Sequence, residues 1–273
     1  MKLITLVENT STGGTLKAEH GLSVLIESEN SRVLFDTGQS DCIIHNAKTL
    51  NVNLQNIDKI VLSHGHYDHV GGLKYVLQYA KAPIIAHPEI FRKRYSKKGD
   101  KLRYIGIEDK SFFEHLGAHF EFSTKPQQVS KNIYTTGFVE LKTDFEEVDK
   151  DFVFESNGQH IKDDVPDDLS LVLDLKEGLF VVFGCAHRGI INIINHCENT
   201  FNKKVIGFIG GTHLGPASKF QKEKTVETLK TMQQLKIIGP SHCTGIAMTC
   251  ALANEFPDKI IYNNVGTVID LGD

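Results

Sequence analysis

The chain has 273 residues, with 30 basic and 34 acidic side chains and a formal net charge of −4. That balance argues against a general nucleic-acid binder, whose footprint is basic, and no apolar run approaches the roughly 20 residues of a membrane span. Five scattered cysteines without a CxxC pair argue against a disulfide framework or an all-cysteine zinc site, and the N-terminus lacks the apolar segment of a signal peptide, so reduced thiols in a cytoplasmic protein are expected.

In chain order, KLITLVE (2–8), GLSVLIES (21–28) and RVLFDTG (32–38) read as short strands separated by the turn signals NTSTGG and ENS. Residues 40–50 read as a short helix. IDKIVLS (57–63) follows as a buried strand, 70–80 as a helix and APIIAH (82–87) as another strand. From Pro88 to about Lys131 the periodicity fades. The basic run FRKRYSKKGDKLRY there suggests a lid or insertion, at about 88–131, on a single domain spanning 1–273. Strand character returns at NIYTTGFVE (132–140). After an acidic stretch, LSLVLDL (169–175) and GLFVVFG (178–184) form a hairpin around KEG. The last third alternates, with helices at 189–201, 219–235 and 246–256 and strands at 204–211, 236–242 and 259–271. Strands with returning helices in both halves predict helix layers covering a two-sheet core.

Chemistry-bearing residues gather where these strands end. SHGHYDHVGG (63–72) follows the strand at 57–63, Asp36 ends an earlier one, and His187, His213 and His242 close three later ones. Strand-end loops are where a rigid scaffold presents reactive groups. His64 and His66 are two residues apart, so in extended backbone both leave one face. Asp68 and His69 come at the turn into the next helix and can point at a second position, while Gly71 and Gly72 let that helix start close beneath. Neutral imidazoles suit zinc, iron, nickel or copper, and a carboxylate widens the choice towards manganese and iron. One loop can therefore contribute to two metals. Structural zinc is more often closed by four cysteine or histidine ligands, whereas this set keeps an open position.

The motif HxHxDH, here His64, His66, Asp68 and His69, resembles the signature of the metallo-β-lactamase superfamily. Asp36 in LFDTG and the downstream histidines follow the order of that superfamily over nearly the whole chain. GCAHRGIINII, GGTHLG and PSHCTG are similar to a prokaryotic subgroup labelled 7,8-dihydropterin-6-methyl-4-(β-D-ribofuranosyl)aminobenzene 5′-phosphate synthase-like. The resemblance implies an α+β fold, a four-layer αβ/βα sandwich of two mixed sheets flanked by helices, with a dinuclear metal site at one edge. It implies that His64, His66 and His187 hold one divalent ion and Asp68, His69 and His242 a second. Zinc is the expected metal, with manganese or iron as alternatives. Asp36 would support the loop from behind the ligating residues. Two positions depart from the pattern: a loop that often supplies a histidine reads DDVPDDLS, and Gly184-Cys185 stands where a bridging aspartate is common. Cys185, Asp168 or a solvent hydroxide is then the bridge.

These features point to a metal-dependent hydrolase that uses hydroxide held between two metals. Asp68 and His213 are the candidate catalytic groups, with His213 protonating the leaving group. A phosphoester or phosphodiester small molecule is the expected substrate. The alternatives are the synthase-like transferase of the subgroup, a lactone or thioester hydrolase, and a metal-binding regulatory protein without turnover. Arg92 and Arg94 in the basic run are candidates to hold a non-reacting phosphate. The partner is thus a small phosphorylated molecule, with neither membrane nor nucleic acid expected. His20, His45, His115, His119, His160 and His196 read as surface or packing residues, and a small buried thiol is the alternative for Cys185.

Overall fold

Side-chain alternation along the strands sorts the apolar residues into three layers. The computed structural model describes residues 1–272. The chain begins with β1 (Lys2–Val7), β2 (Ser23–Ser28), β3 (Ser31–Phe35), α1 (Cys42–Thr49), β4 (Lys59–Val61), α2 (Tyr67–Val70), α3 (Leu73–Val76) and β5 (Ile84–Ala86). Next come β6 (Arg94–Lys98), β7 (Lys101–Tyr104), α4 (Lys110–His115), β8 (Phe120–Phe122), β9 (Gln128–Ser130), β10 (Ile133–Thr135), β11 (Phe152–Ser156) and β12 (Gln159–Lys162). The remainder is β13 (Ser170–Leu175), β14 (Gly178–Phe183), α5 (Ile190–Phe201), β15 (Val205–Gly211), α6 (Lys219–Thr231), β16 (Ile237–Ser241), α7 (Ile246–Glu255) and β17 (Val268–Asp270).

Two large sheets run in the orders β17-β1-β2-β3-β4-β5-β8 and β16-β15-β14-β13-β10-β9. Both are mixed: β3, β4, β5 and β8 pair in parallel, as do β14, β15 and β16, whereas β1–β2 and β13–β14 are antiparallel. Along β2, Val24 and Ile26 enter the layer between the sheets, while Leu25 joins the cluster built with α1 and α3. Along β14, Phe180 and Val182 enter the same middle layer, while Leu179, Val181 and Phe183 pack with α5 and α7. This two-residue period gives helix, sheet, sheet, helix, the four-layer sandwich. Truncating Phe35 or Phe180 in the middle layer to alanine would cost about 3–5 kcal/mol.

A third sheet, β12-β11-β6-β7, carries the elaboration expected at 88–131, but with different bounds. The β6–β7 hairpin pairs with β11 and β12, which come from residues 152–162, through β11 on β6. By contrast β8 extends the first large sheet at β5, and β9 extends the second at β10. The segment after about 110 is therefore body and not lid. The helix expected at 70–80 is split into α2 and α3 around Gly71 and Gly72. A Cβ on Gly72 would stand 2.0 Å from the Thr37 carbonyl oxygen, so the loop after β3 occupies the space of a side chain. The strand expected at 132–140 shrinks to β10, and of that at 259–271 only β17 forms. Before β17, the side-chain oxygens of Asn263 and Asn264 accept hydroxyl bonds from Thr5 and Thr10 and hold an irregular return.

Candidate metal centre

The HxHxDH loop leaves β4 and is clamped from below. A Cβ on Gly65 would meet the Ile90 carbonyl oxygen at 1.8 Å, so only glycine fits, and the Gly65 N–H donates to Asp167 Oδ2 at 2.8 Å. His64, His66, Asp68 and His69 are all buried. His64 Nε2 lies 3.0 Å from His66 Nδ1 and 3.1 Å from His187 Nε2, which arrives on the loop after β14. His69 Nε2 lies 3.2 Å from His242 Nε2, at the end of β16, and 3.1 Å from Cys185 Sγ. Asp68 Oδ2 is 3.2 Å from His242 Nε2 and 3.1 Å from His20 Nε2. Four sets of potential ligand atoms result: His64, Cys185 and His187; His69, Cys185 and His242; Cys185, His213 and Cys243; and His20, Asp68 and His242. Cys185 belongs to the first three.

Behind these atoms stands a frame of hydrogen bonds. Asp36 Oδ2 accepts the Ser63 hydroxyl and faces His69 Nδ1, each at 2.7 Å, and Oδ1 accepts the Ser63 N–H. Ser63 Oγ also meets His64 Nδ1 at 2.8 Å. Asn9 Oδ1 faces His242 Nδ1 at 2.8 Å, while Glu8 accepts the His242 N–H. With Nδ1 facing Asp36 or Asn9, His69 and His242 turn Nε2 inward, the edge a metal ligand needs. Asp36, Ala186, His213 and His242 all have φ between +50° and +57°. Left-handed backbone costs a non-glycine residue about 1–3 kcal/mol, and such residues gather at functional sites.

Burial, reinforced by neighbouring histidines, holds His64 and His187 neutral, and burial with the nearby Arg94 charge does so for His66. Burial opposes a charge on His69 too, but Asp36 and Asp68 outweigh it and raise its pKa to about 9. Asp68 would be pushed up by burial, yet His69 and the hydrogen bonds from His20 and His242 hold it well below the usual carboxylate range. Burial pushes the Cys185 thiol up. These residues fit a bound cation. His66 Nε2 and His187 Nδ1 are buried without a hydrogen-bond partner, and His64, His69 and His242 each turn Nε2 towards another ring nitrogen. A set of imidazole, thiol and carboxylate donors is that of zinc or a similar divalent ion.

Asp168 stands outside the four sets. Its Oδ2 accepts the Arg188 N–H, Oδ1 has no partner, and burial raises its pKa to about 7. The ring of His213 lies 4.3 Å from that of His187, and its Nε2 is 3.9 Å from Asp149 Oδ2. Burial lowers the pKa of His213, but Asp149 and Cys243 outweigh it and raise it to about 9. The expectation for Arg92 and Arg94 requires correction. Arg94 is fully buried, donates through Nε to Asp163 and through both terminal nitrogens to Asp167, and has no donor left for a phosphate. Arg92 is held by Glu89 and Asp163 and stacks 4.3 Å from the Phe154 ring centroid. His20 is corrected as well, since it joins Asp68 and does not simply cover the surface. Glu8 and Asn9 escaped notice because they touch His242 across more than 230 residues; their position just after the first strand was the available signal.

A family model described as metallo-beta-lactamase superfamily matches residues 16–237. The chain is 32% identical over 286 residues to 7,8-dihydropterin-6-methyl-4-(beta-D-ribofuranosyl)-aminobenzene-5′-phosphate synthase of Methanocaldococcus jannaschii, across 98% of this chain and 96% of that one. It is 34% identical over 270 residues to an uncharacterized protein of the same organism, across 97% and 98% of the two chains. The fold superposes, with a TM-score of 0.87 and 32% identity over 100% of both chains, on the crystal structure of a metal-dependent hydrolase of the beta-lactamase superfamily.

Proposed function

The chain belongs to the metallo-β-lactamase superfamily, and from that premise we propose that it is a metal-dependent hydrolase of a phosphoester or phosphodiester small molecule. The observation that carries the reading is the sharing of Cys185 between His64 with His187 and His69 with His242. His64, His66 and His187 would hold one divalent ion and Asp68, His69 and His242 the other, with Cys185 a further potential ligand and zinc the favoured metal. Ions bound there would acidify a shared water and polarise the oxygen of the scissile phosphoryl group.

The side chains of the chain do the rest. Asp68, held ionised beside His69 and by hydrogen bonds from His20 and His242, would orient the attacking water. His213 has two buried ring nitrogens without hydrogen-bond partners and lies beside His187, which suits it to protonate the leaving group. Phe152 packs 5.2–5.8 Å from the rings of His66, His187 and His213 and keeps water from that side. The 32% identity to a synthase over almost the whole chain supports a second reading, group transfer at the same centre.

Zinc-loaded and manganese-loaded protein assayed on bis(p-nitrophenyl) phosphate, p-nitrophenyl phosphate, a lactone and a thioester separates the readings. Phosphoester turnover that vanishes in His187→Ala is the expected result. Turnover confined to the lactone or thioester, or none from metal-replete protein, rejects the phosphoester assignment.

A further inference from the structure

The chain has five arginines, and four are occupied. Arg32, Arg92 and Arg94 form ion pairs, and Arg188 donates to the carbonyl oxygens of Val139 and Asp164. Arg103 is exposed and, among the described residues, meets neither a carboxylate nor a carbonyl oxygen; its guanidinium lies 6.0 Å from the ring centroid of Tyr67. Tyr67 sits between His66 and Asp68 in the metal loop. Its ring is 6.5 Å from that of His20, whose Nε2 reaches Asp68. Lys98 and Lys101 are likewise exposed, with no carboxylate oxygen within 4.0 Å among the described residues.

Strand register decides which way these cations face. Arg103 pairs with Ser96, Ser96 with Phe152, and Lys101 with Lys98. Directly paired residues, and those two apart on one strand, share a sheet face. Arg103, Lys98 and Lys101 therefore share the face of Phe152, the side chain that packs on His66, His187 and His213. On the opposite face Tyr95, Tyr104 and His160 pack together. Asp149 is held ionised chiefly by its neighbour His213, with a smaller contribution from the Lys98 charge. The cations thus lie along an arc from Tyr67 and His20 to Asp149 and His213.

We propose that Arg103, with Lys98 and Lys101, is an anion subsite for a non-reacting phosphate monoester of the substrate. The inference rests on the phosphoester reading and extends it from the reacting bond to the rest of the substrate. Two inter-strand spacings separate Arg103 from Phe152, about 10 Å. The second phosphate is therefore separated from the reacting ester by a spacer about the size of a sugar ring. A guanidinium can grip such a group bidentately, and the exposed lysines add charge without fixed geometry.

The test compares two substrates that differ only in a remote phosphate: thymidine 5′-(p-nitrophenyl phosphate) with and without a 3′-phosphate. In the metal-loaded parent the 3′-phosphorylated compound should have a kcat/KM at least about tenfold higher, mainly through KM. Arg103→Ala should abolish that ratio and Arg103→Lys restore part of it, with metal content and Tm unchanged. A parent without the preference, or an Arg103→Ala protein that keeps it, overturns the subsite. If neither compound is cleaved, the hydrolase reading fails separately, and calorimetric binding of thymidine 3′,5′-bisphosphate decides the subsite. Affinity lost in Arg103→Ala then upholds it, and affinity unchanged or absent refutes it.

Discussion

In the proposed centre Cys185 is pivotal, because its sulfur lies within reach of both His64 with His187 and His69 with His242. Substituting cobalt for the native metal should give the parent a sulfur-to-metal charge-transfer band, and Cys185→Ser should lose the band and hold metal more weakly. A cobalt protein without the band would make the cysteine a packing residue. His64, His66, Asp68 and His69 were legible because six consecutive positions carry them all. Arg94 was not, because its partners Asp163 and Asp167 lie some 70 positions away. Its burial makes a different prediction. Arg94→Ala leaves buried Asp167 without its cation and Asp163 with only the more distant Arg92, and should cost about 3–5 kcal/mol of stability in urea unfolding. A loss under about 1 kcal/mol would show that the protein neutralises Asp163 and Asp167 by another route.

At the scale of elements, long amphipathic segments were read correctly and short irregular ones were not. The helix at 189–201 forms nearly as expected, since its isoleucines and Cys197 make one continuous buried stripe. The return before β17 does not, because asparagine–threonine bonds replace strand pairing there. The acidic stretch after 140 proves to be a clamp: Glu146 accepts the N–H groups of Ile191 and Asn192 at the start of α5. Burial raises the Glu146 pKa to about 7 from 4.5, against the opposing hydrogen bonds from Ile191, Asn192 and Thr143. Between those two pH values the folded chain keeps a proton that the unfolded chain releases. Stability should therefore fall as pH rises from 4.5 to 7, by up to about 1.4 kcal/mol per pH unit. Urea unfolding across that range measures the slope, and Glu146→Gln should remove this contribution. An unchanged slope in the variant would mean that Glu146 is ionised throughout.

On the scale of the whole molecule, the candidate centre joins the two halves of the sandwich. The HxHxDH loop belongs to the first sheet, whereas His187 and His242 follow strands of the second. This pairing was foreseeable only through the resemblance, since nothing in local periodicity brings residues 64 and 187 together. Ions bound there should couple the sheets. Stability should rise with free metal, by about 4 kcal/mol at a thousandfold excess over Kd, and return to baseline with a chelator. A urea midpoint indifferent to metal would mean that the two halves are held by apolar packing alone. The central claim is that two metal positions share this edge, one on His64, His66 and His187 and the other on Asp68, His69 and His242. Elemental analysis of the purified, metal-loaded parent beside Asp68→Ala tests it most directly. Two ions per chain in the parent and one in the variant are expected; a single ion in the parent, unaffected by Asp68→Ala, would rule out a dinuclear centre.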